Sequence, residues 1–176
     1  VGVRELGVVY FVGEGREDDF SDELFTYKQR SEIEILKDLW ESALSDDTCV
    51  SFNGRQFDVP FILLLSVTKC IKPSVDLHKK RFLTQQSLPY HVDLQDELTF
   101  YGSMNRRPQL HLFCRAFGIE SPKGDVSGDD VAELFVNKEF DNIAKYNAKD
   151  VIATAALFKK WKEYLAPRSW LNVIEM

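Results

Sequence analysis

Cysteine is scarce: the chain has three, Cys49, Cys70 and Cys114, far apart and each in an apolar context. An odd, scattered set argues against a disulfide framework or a zinc knuckle and points to free, buried thiols in a reducing compartment. Long apolar runs are absent as well. The longest covers about five residues ("FILLL"), against the twenty or so that a membrane-spanning helix needs, and no secretory leader is visible. The expectation is a cytoplasmic protein with no membrane partner. Basic residues are outnumbered, 22 against 28 acidic ones, for a net charge of −6. That balance argues against coating nucleic acid by charge alone, although it suits an enzyme whose acids hold metal ions. No repeat, low-complexity run or linker is present. What remains is ordinary globular composition, 44% hydrophobic and 28% charged over 176 residues, enough for one core. A single domain is expected over residues 1–166, with a tail at 167–176.

Periodicity gives the order of elements. "ELGVVYFVG" is β-branched and aromatic and reads as a strand. "EGREDDFSDE" reads as an acidic loop and "LFTYK" as a second strand, so the pair is expected to form an antiparallel hairpin. "SEIEILKDLWESAL" is a helix, with Ser31 and Glu34 as a capping box and Ile33, Leu36, Trp40 and Ala43 or Leu44 as its apolar stripe. "TCVSFN" is a short strand and "DVPFILLLSVTKC" a second helix, with Pro60 in its first turn. Residues 72–90 are basic and irregular. "HVDLQDEL" runs from a strand end into a helix or turn. "RPQLHLFCRAFGI" is a helix stopped by Gly118, "ESPKGDVSGDD" a loop, and "VAELFVNKEF" a short helix. The last helix, from Asp141 as its cap, carries an apolar face at Val151, Ala155, Phe158 and Trp161. This ββ-α-β-α-β-α-α-α order predicts an α/β sandwich around a mixed sheet.

Two segments carry chemistry. On the last helix Tyr146 and Asp150 are one turn apart and share a face. In "SFNGRQFDVPF", Asp58 follows a strand and precedes a helix, at the kind of strand end where α/β ligands collect; a plain N-cap is the competing reading. Taken together, Asp58 and Asp150 offer hard oxygen donors suited to Mg²⁺ or Mn²⁺, and two such ions clamp and hydrolyse phosphodiesters. Tyr146 is placed to orient a water. Asp93 reads as a cap or loop anchor, and His78 and His111 as surface and packing residues. Lys79, Lys80 and Arg81, like Arg106 and Arg107, read as solvated loops or as phosphate contacts.

"FNGRQFDVPF" followed at a distance by "YNAKDV" resembles the second and third motifs of the DEDDy 3′–5′ exonucleases, in particular the exonuclease domain of family-B DNA polymerases and its stand-alone relatives. The resemblance covers about residues 5–165. It implies an RNase H-like mixed sheet flanked by helices and two-metal hydrolysis of single-stranded DNA or RNA from the 3′ end to 5′-mononucleotides. It also implies Asp58 and Asp150 as metal-binding carboxylates, Tyr146 positioning the nucleophilic water, and Asn53 and Phe57 against the terminal nucleotides. The family's first motif, Asp-x-Glu, is not seen. The chain opens on Val1 and Glu5 is at best a remnant, so the missing strand and acids are expected upstream or from a partner. The acidic run with Asp18, Asp19, Asp22 and Glu23 is not expected to replace them. A catalytically inactive module of the same fold, binding nucleic acid or protein, is the alternative.

Overall fold

In a computed structural model, which describes residues 7–13, 19–45, 48–88, 90–121 and 128–167, eleven strands and helices follow one another. They are β1 (Gly7–Phe11), β2 (Phe20–Ser21), β3 (Phe25–Gln29), α1 (Glu32–Ser45), β4 (Thr48–Ser51), α2 (Asp58–Thr68), β5 (Tyr90–Asp93), α3 (Leu94–Leu98), α4 (Leu110–Ala116), α5 (Gly128–Val136) and α6 (Phe140–Tyr164). The architecture is mixed α/β, consistent with the RNase H-like fold implied by the motifs. The expected tail lies almost wholly outside the described residues, as do Glu5, Asp18 and most of the "ESPKGDVSGDD" loop. The chain divides into two compact units, Val1–Ile35 with Pro122–Ile152, and Leu36–Ser121 with Ala153–Met176.

The first unit holds a three-stranded sheet in the order β1-β3-β2. The expected antiparallel hairpin is not formed: β1 and β3 pair in parallel, from Gly7↔Phe25 to Phe11↔Gln29. The reversal occurs one step later, where the two-residue β2 pairs antiparallel with β3. Asp22 closes that turn. Its carboxylate accepts from the Leu24 and Phe25 amides, each at 2.8 Å, and from the Tyr27 hydroxyl at 2.7 Å. Asp19 is engaged too, gripped by the two terminal nitrogens of Arg30 at 2.9 Å. Both acids therefore serve the fold. Phe11, Phe25 and Tyr27 bury against Ala144 and Ala148 of α6, and the Phe20 ring stacks on Tyr27 with centroids 4.7 Å apart.

The second unit holds β4 and β5, paired in parallel from Thr48↔Tyr90 to Ser51↔Asp93. One core gathers Leu83, Val92, Leu94, Phe113, Leu157 and Trp161 around β5; each such side chain removed from water contributes about 1.5–3 kcal/mol. Another gathers Leu36, Trp40, Val59 and Leu77, and there the Trp40 indole donates to the Ser66 hydroxyl at 3.0 Å. The capping box at the head of α1 is present: the Ser31 amide donates to the Glu34 carboxylate at 2.9 Å, and the Glu34 amide donates back to the Ser31 hydroxyl at 3.3 Å.

Several helix expectations are corrected. Ile33 is exposed while Leu36 and Trp40 are buried, so the buried stripe of α1 starts one turn later than the periodicity suggests. On α6, Val151 and Ala155 face solvent, and the buried line is Ala144, Ala148, Ala153, Leu157 and Trp161. Small alanines make a buried stripe that a search for bulky side chains overlooks. Asp141 lies inside the first turn of α6 and pairs with Lys145 at 3.2 Å. Gly118 does stop α4, with φ at +69°, the left-handed conformation in which glycine has no side chain to strain.

Candidate active site

β4 and β5 run the same way, so their carboxyl ends share one edge. Ser51 and Asp93 sit opposite each other there. From Ser51 the chain enters the loop 52–57, and the loop is wound as an extra turn onto α2. The amides of Gln56 and Phe57 donate to the Asn53 carbonyl, and the Val59 amide donates to the Gly54 carbonyl at 2.8 Å. Asn53 takes φ of +64°, which asparagine tolerates better than most residues. Gly54 is required by crowding: a Cβ there would stand 2.4 Å from the Ser51 Oγ and 3.4 Å from an Asp58 carboxylate oxygen.

Asp93 and Arg55 fix this loop. The buried Asp93 carboxylate accepts from the backbone amides of Asn53 and Arg55, each at 2.9 Å. It also caps α3, accepting from the Gln95 amide at 3.0 Å. The structure thus makes Asp93 both cap and loop anchor. Arg55 is buried, and its guanidinium donates to the carbonyls of Lys79, Lys80 and His91 at 3.2, 3.4 and 3.2 Å. The His91 ring completes the joint. Its Nδ1 lies 2.8 Å from the Leu77 carbonyl and its Nε2 2.8 Å from the Ser51 hydroxyl. A carbonyl only accepts, so Nδ1 carries the proton and Nε2 accepts from Ser51. Burial holds the His91 pKa below the ordinary imidazole value, consistent with that neutral ring. Neither Arg55 nor His91 stands out in the sequence.

Asp58 is the first residue of α2. The competing reading, a plain N-cap, is not what the structure has: the cap position belongs to Phe57, with no side-chain cap bond. The Asp58 carboxyl is held above the usual carboxylate range, chiefly because surrounding protein strips its hydration, with the Asp93 charge adding to the rise. Phe57 projects outward with 69% of its surface exposed. Exposed apolar side chains then follow it along α2: Phe61, Leu64 and Val67.

Tyr146 and Asp150 stand one turn apart on α6, both partly buried, between the exposed Asn147 and Lys149. Desolvation pushes the Asp150 carboxyl up, with no offsetting positive charge among the described residues. Asn53, Phe57 and Asp58 belong to the second compact unit, and Tyr146 and Asp150 to the first. Among the described residues no group of three or more His, Cys, Asp or Glu side chains is gathered to hold a metal. The donor chemistry still suits a hard divalent ion. Mg²⁺ characteristically uses one or two carboxylates and takes its other ligands from water and substrate phosphate, and a desolvated carboxylate without a cation gains from one.

The basic runs resolve differently from the sequence reading. Arg81 is not simply solvated: its Nε and a terminal nitrogen donate to the two oxygens of Asp96, at 2.9 and 2.5 Å. Arg107 approaches the same carboxylate to 3.6 Å.

The described residues form a mixed α/β domain in which Asp58 follows the carboxyl end of β4, one strand of a parallel pair. The comparison with known proteins is specific. Residues 8–167 match the family described as "predicted 3′–5′ exonuclease related to the exonuclease domain of PolB", and the chain belongs to that family. It is also 23% identical over 164 residues to a DNA polymerase of Autographa californica nuclear polyhedrosis virus, covering 82% of this chain and 17% of the viral protein. No helix among the described residues is long and apolar enough to cross a membrane.

Proposed function

We propose that this chain is a 3′–5′ exonuclease that hydrolyses single-stranded nucleic acid, DNA in the first place, to 5′-mononucleotides with Mg²⁺ or Mn²⁺. The observation that carries it is the pair of carboxylates at the two family motifs, Asp58 and Asp150, each with its carboxyl pKa raised chiefly by desolvation. Two ions held by these carboxylates would supply Lewis-acid activation of water and charge stabilisation at the phosphate. Tyr146, one turn before Asp150, hydrogen-bonds the attacking water and holds it in line. Phe57 offers its exposed ring to the terminal base or sugar, a sequence-tolerant contact. Asn53, fixed through its backbone by Asp93, offers an amide that both donates and accepts. Attack by water forms one P–O bond and breaks the bond to the 3′ oxygen of the preceding nucleotide. The proton passes to that oxygen, and a 5′-monophosphate leaves.

The test is nucleotide release from a 5′-labelled single strand of DNA and its RNA counterpart, with Mn²⁺ and with EDTA. Wild type is expected to shorten the strand from its 3′ end only with metal. Asp150→Asn is expected to abolish that while the far-UV spectrum is retained. Undiminished cleavage by the variant would overturn the assignment.

A further inference from the structure

Resting on the exonuclease reading, we propose that the surface around Asp96 is a track for the single strand upstream of its 3′ end, with phosphates on Arg81, Arg106 and Arg107 and bases against Phe82 and Phe100. Two basic runs far apart in sequence meet here, because Arg81 and Arg107 both approach the one buried Asp96 carboxylate. Asp96 neutralises a single charge and takes two of the five N–H donors of Arg81. It thereby fixes the Arg81 guanidinium plane and draws Arg107 alongside, and both keep exposed surface: the Arg81 and Arg107 side chains are 44% and 35% exposed. Arg106 is exposed beside them. On a chain of net charge −6, such a concentration of arginines selects a polyanion locally, and pre-oriented guanidinium groups match phosphate geometry.

The rings make that polyanion a nucleic acid rather than an acidic peptide. Phe82 and Phe100 are 45% and 58% exposed, and Phe82 packs on Tyr101 with centroids 4.7 Å apart. Phe100 and Tyr101 both take left-handed backbone conformations, at φ of +50° and +56°. Non-glycine residues persist there only when their surroundings impose it, and such strain clusters at binding sites. The constraint is visible: the Tyr101 hydroxyl donates to Glu97 and accepts from the Leu83 amide, leaving the Phe100 ring outward. The track adjoins the same strand edge as Asp58. Asp96 follows β5 directly in α3, and Arg55 ties the Lys79–Lys80 backbone to the loop that carries Asp58.

The test measures anisotropy of 5′-fluorescein oligothymidylate on the full chain in EDTA across a potassium chloride series, with polyglutamate as competitor. Arg106→Gln is expected to lower the slope of log affinity against log salt by about one, and the Arg106→Gln/Arg107→Gln pair by about two. Phe100→Ala is expected to weaken binding about tenfold with the slope unchanged. Equal affinity and slope in all variants overturns the track, as does polyglutamate competing as well as oligothymidylate. Hydrolysis of p-nitrophenyl thymidine 5′-monophosphate by wild type, with Mn²⁺, reports the chemistry separately. If that ester is cleaved while the variants bind like wild type, the track fails and the exonuclease stands. If it is not cleaved while the binding losses appear, the track stands and the exonuclease reading fails.

Discussion

Replacing Asp93 by alanine removes three well-formed bonds at once. Two of them satisfy the amides of Asn53 and Arg55 in the loop, and the third caps α3 through Gln95. Each stranded amide costs about 1–3 kcal/mol, and the lost cap costs about 1 kcal/mol. The total is about 3–7 kcal/mol, a large part of the roughly 5–15 kcal/mol that a domain has. At about 2–4 °C per kcal/mol for a chain of this size, the melting temperature should fall by at least about 6 °C. Asp93→Asn separates the terms. Its carbonyl oxygen can still serve Asn53 and Gln95, but its amide then faces the Arg55 N–H donor to donor, and only about 1–3 kcal/mol is lost. Thermal melts of the three proteins in one buffer are therefore expected in the order wild type, Asp93→Asn, Asp93→Ala. An alanine variant melting within about 3 °C of wild type would refute the anchoring role.

Gly54→Ala should destabilise by about 1–3 kcal/mol, since its methyl would meet Ser51 at 2.4 Å and the loop must shift; urea unfolding measures this, and an unchanged midpoint would contradict the crowding. His91 has a lowered pKa in the folded state, so its contribution is present above the ordinary imidazole value of about 6.5 and is lost as pH falls through the folded value. Unfolding free energy should therefore drop on acidification from pH 8, and His91→Gln should flatten that part of the profile. Asp58 and Asp150 have the opposite sign. Raised carboxyl pKa values contribute stability at low pH that is lost as pH rises through them. Neutralising either by Asp→Asn should leave the melting temperature at pH 7 equal or higher in metal-free buffer, and a clear fall would show that the carboxylate is a structural partner.

Features written in neighbouring residues were legible in the sequence. Ser31 with Glu34, Gly118 after α4, and the Asn53-Gly54 turn before Asp58 each depend on a few residues of local backbone. Asp93 as a cap was legible for the same reason, because the amide it caps lies two residues on, at Gln95. The strand pairing was not. β2 is only two residues long, too short to leave a period, and the turn it makes with β3 depends on Asp22 bonding to Tyr27. The convergence of Arg81 and Arg107 on Asp96 was also out of reach, since a charge run carries no address for its partner. On α6 the pattern misled over the first half, where the buried positions Ala144, Ala148 and Ala153 are all alanines; Trp161 was placed correctly.

The joint that holds the Asp58 loop is built almost entirely from side chains that grip main chain. Asp93 takes the amides of residues 53 and 55, and Arg55 gives to the carbonyls of residues 79, 80 and 91. Amides and carbonyls are the same whatever residue bears them. The Lys79 side chain is consequently free to vary without loosening the joint, whereas Asn53 and Lys80 take positive φ and admit fewer replacements, which makes Lys79 the natural place to engineer strand preference while Asp93 and Arg55 are kept.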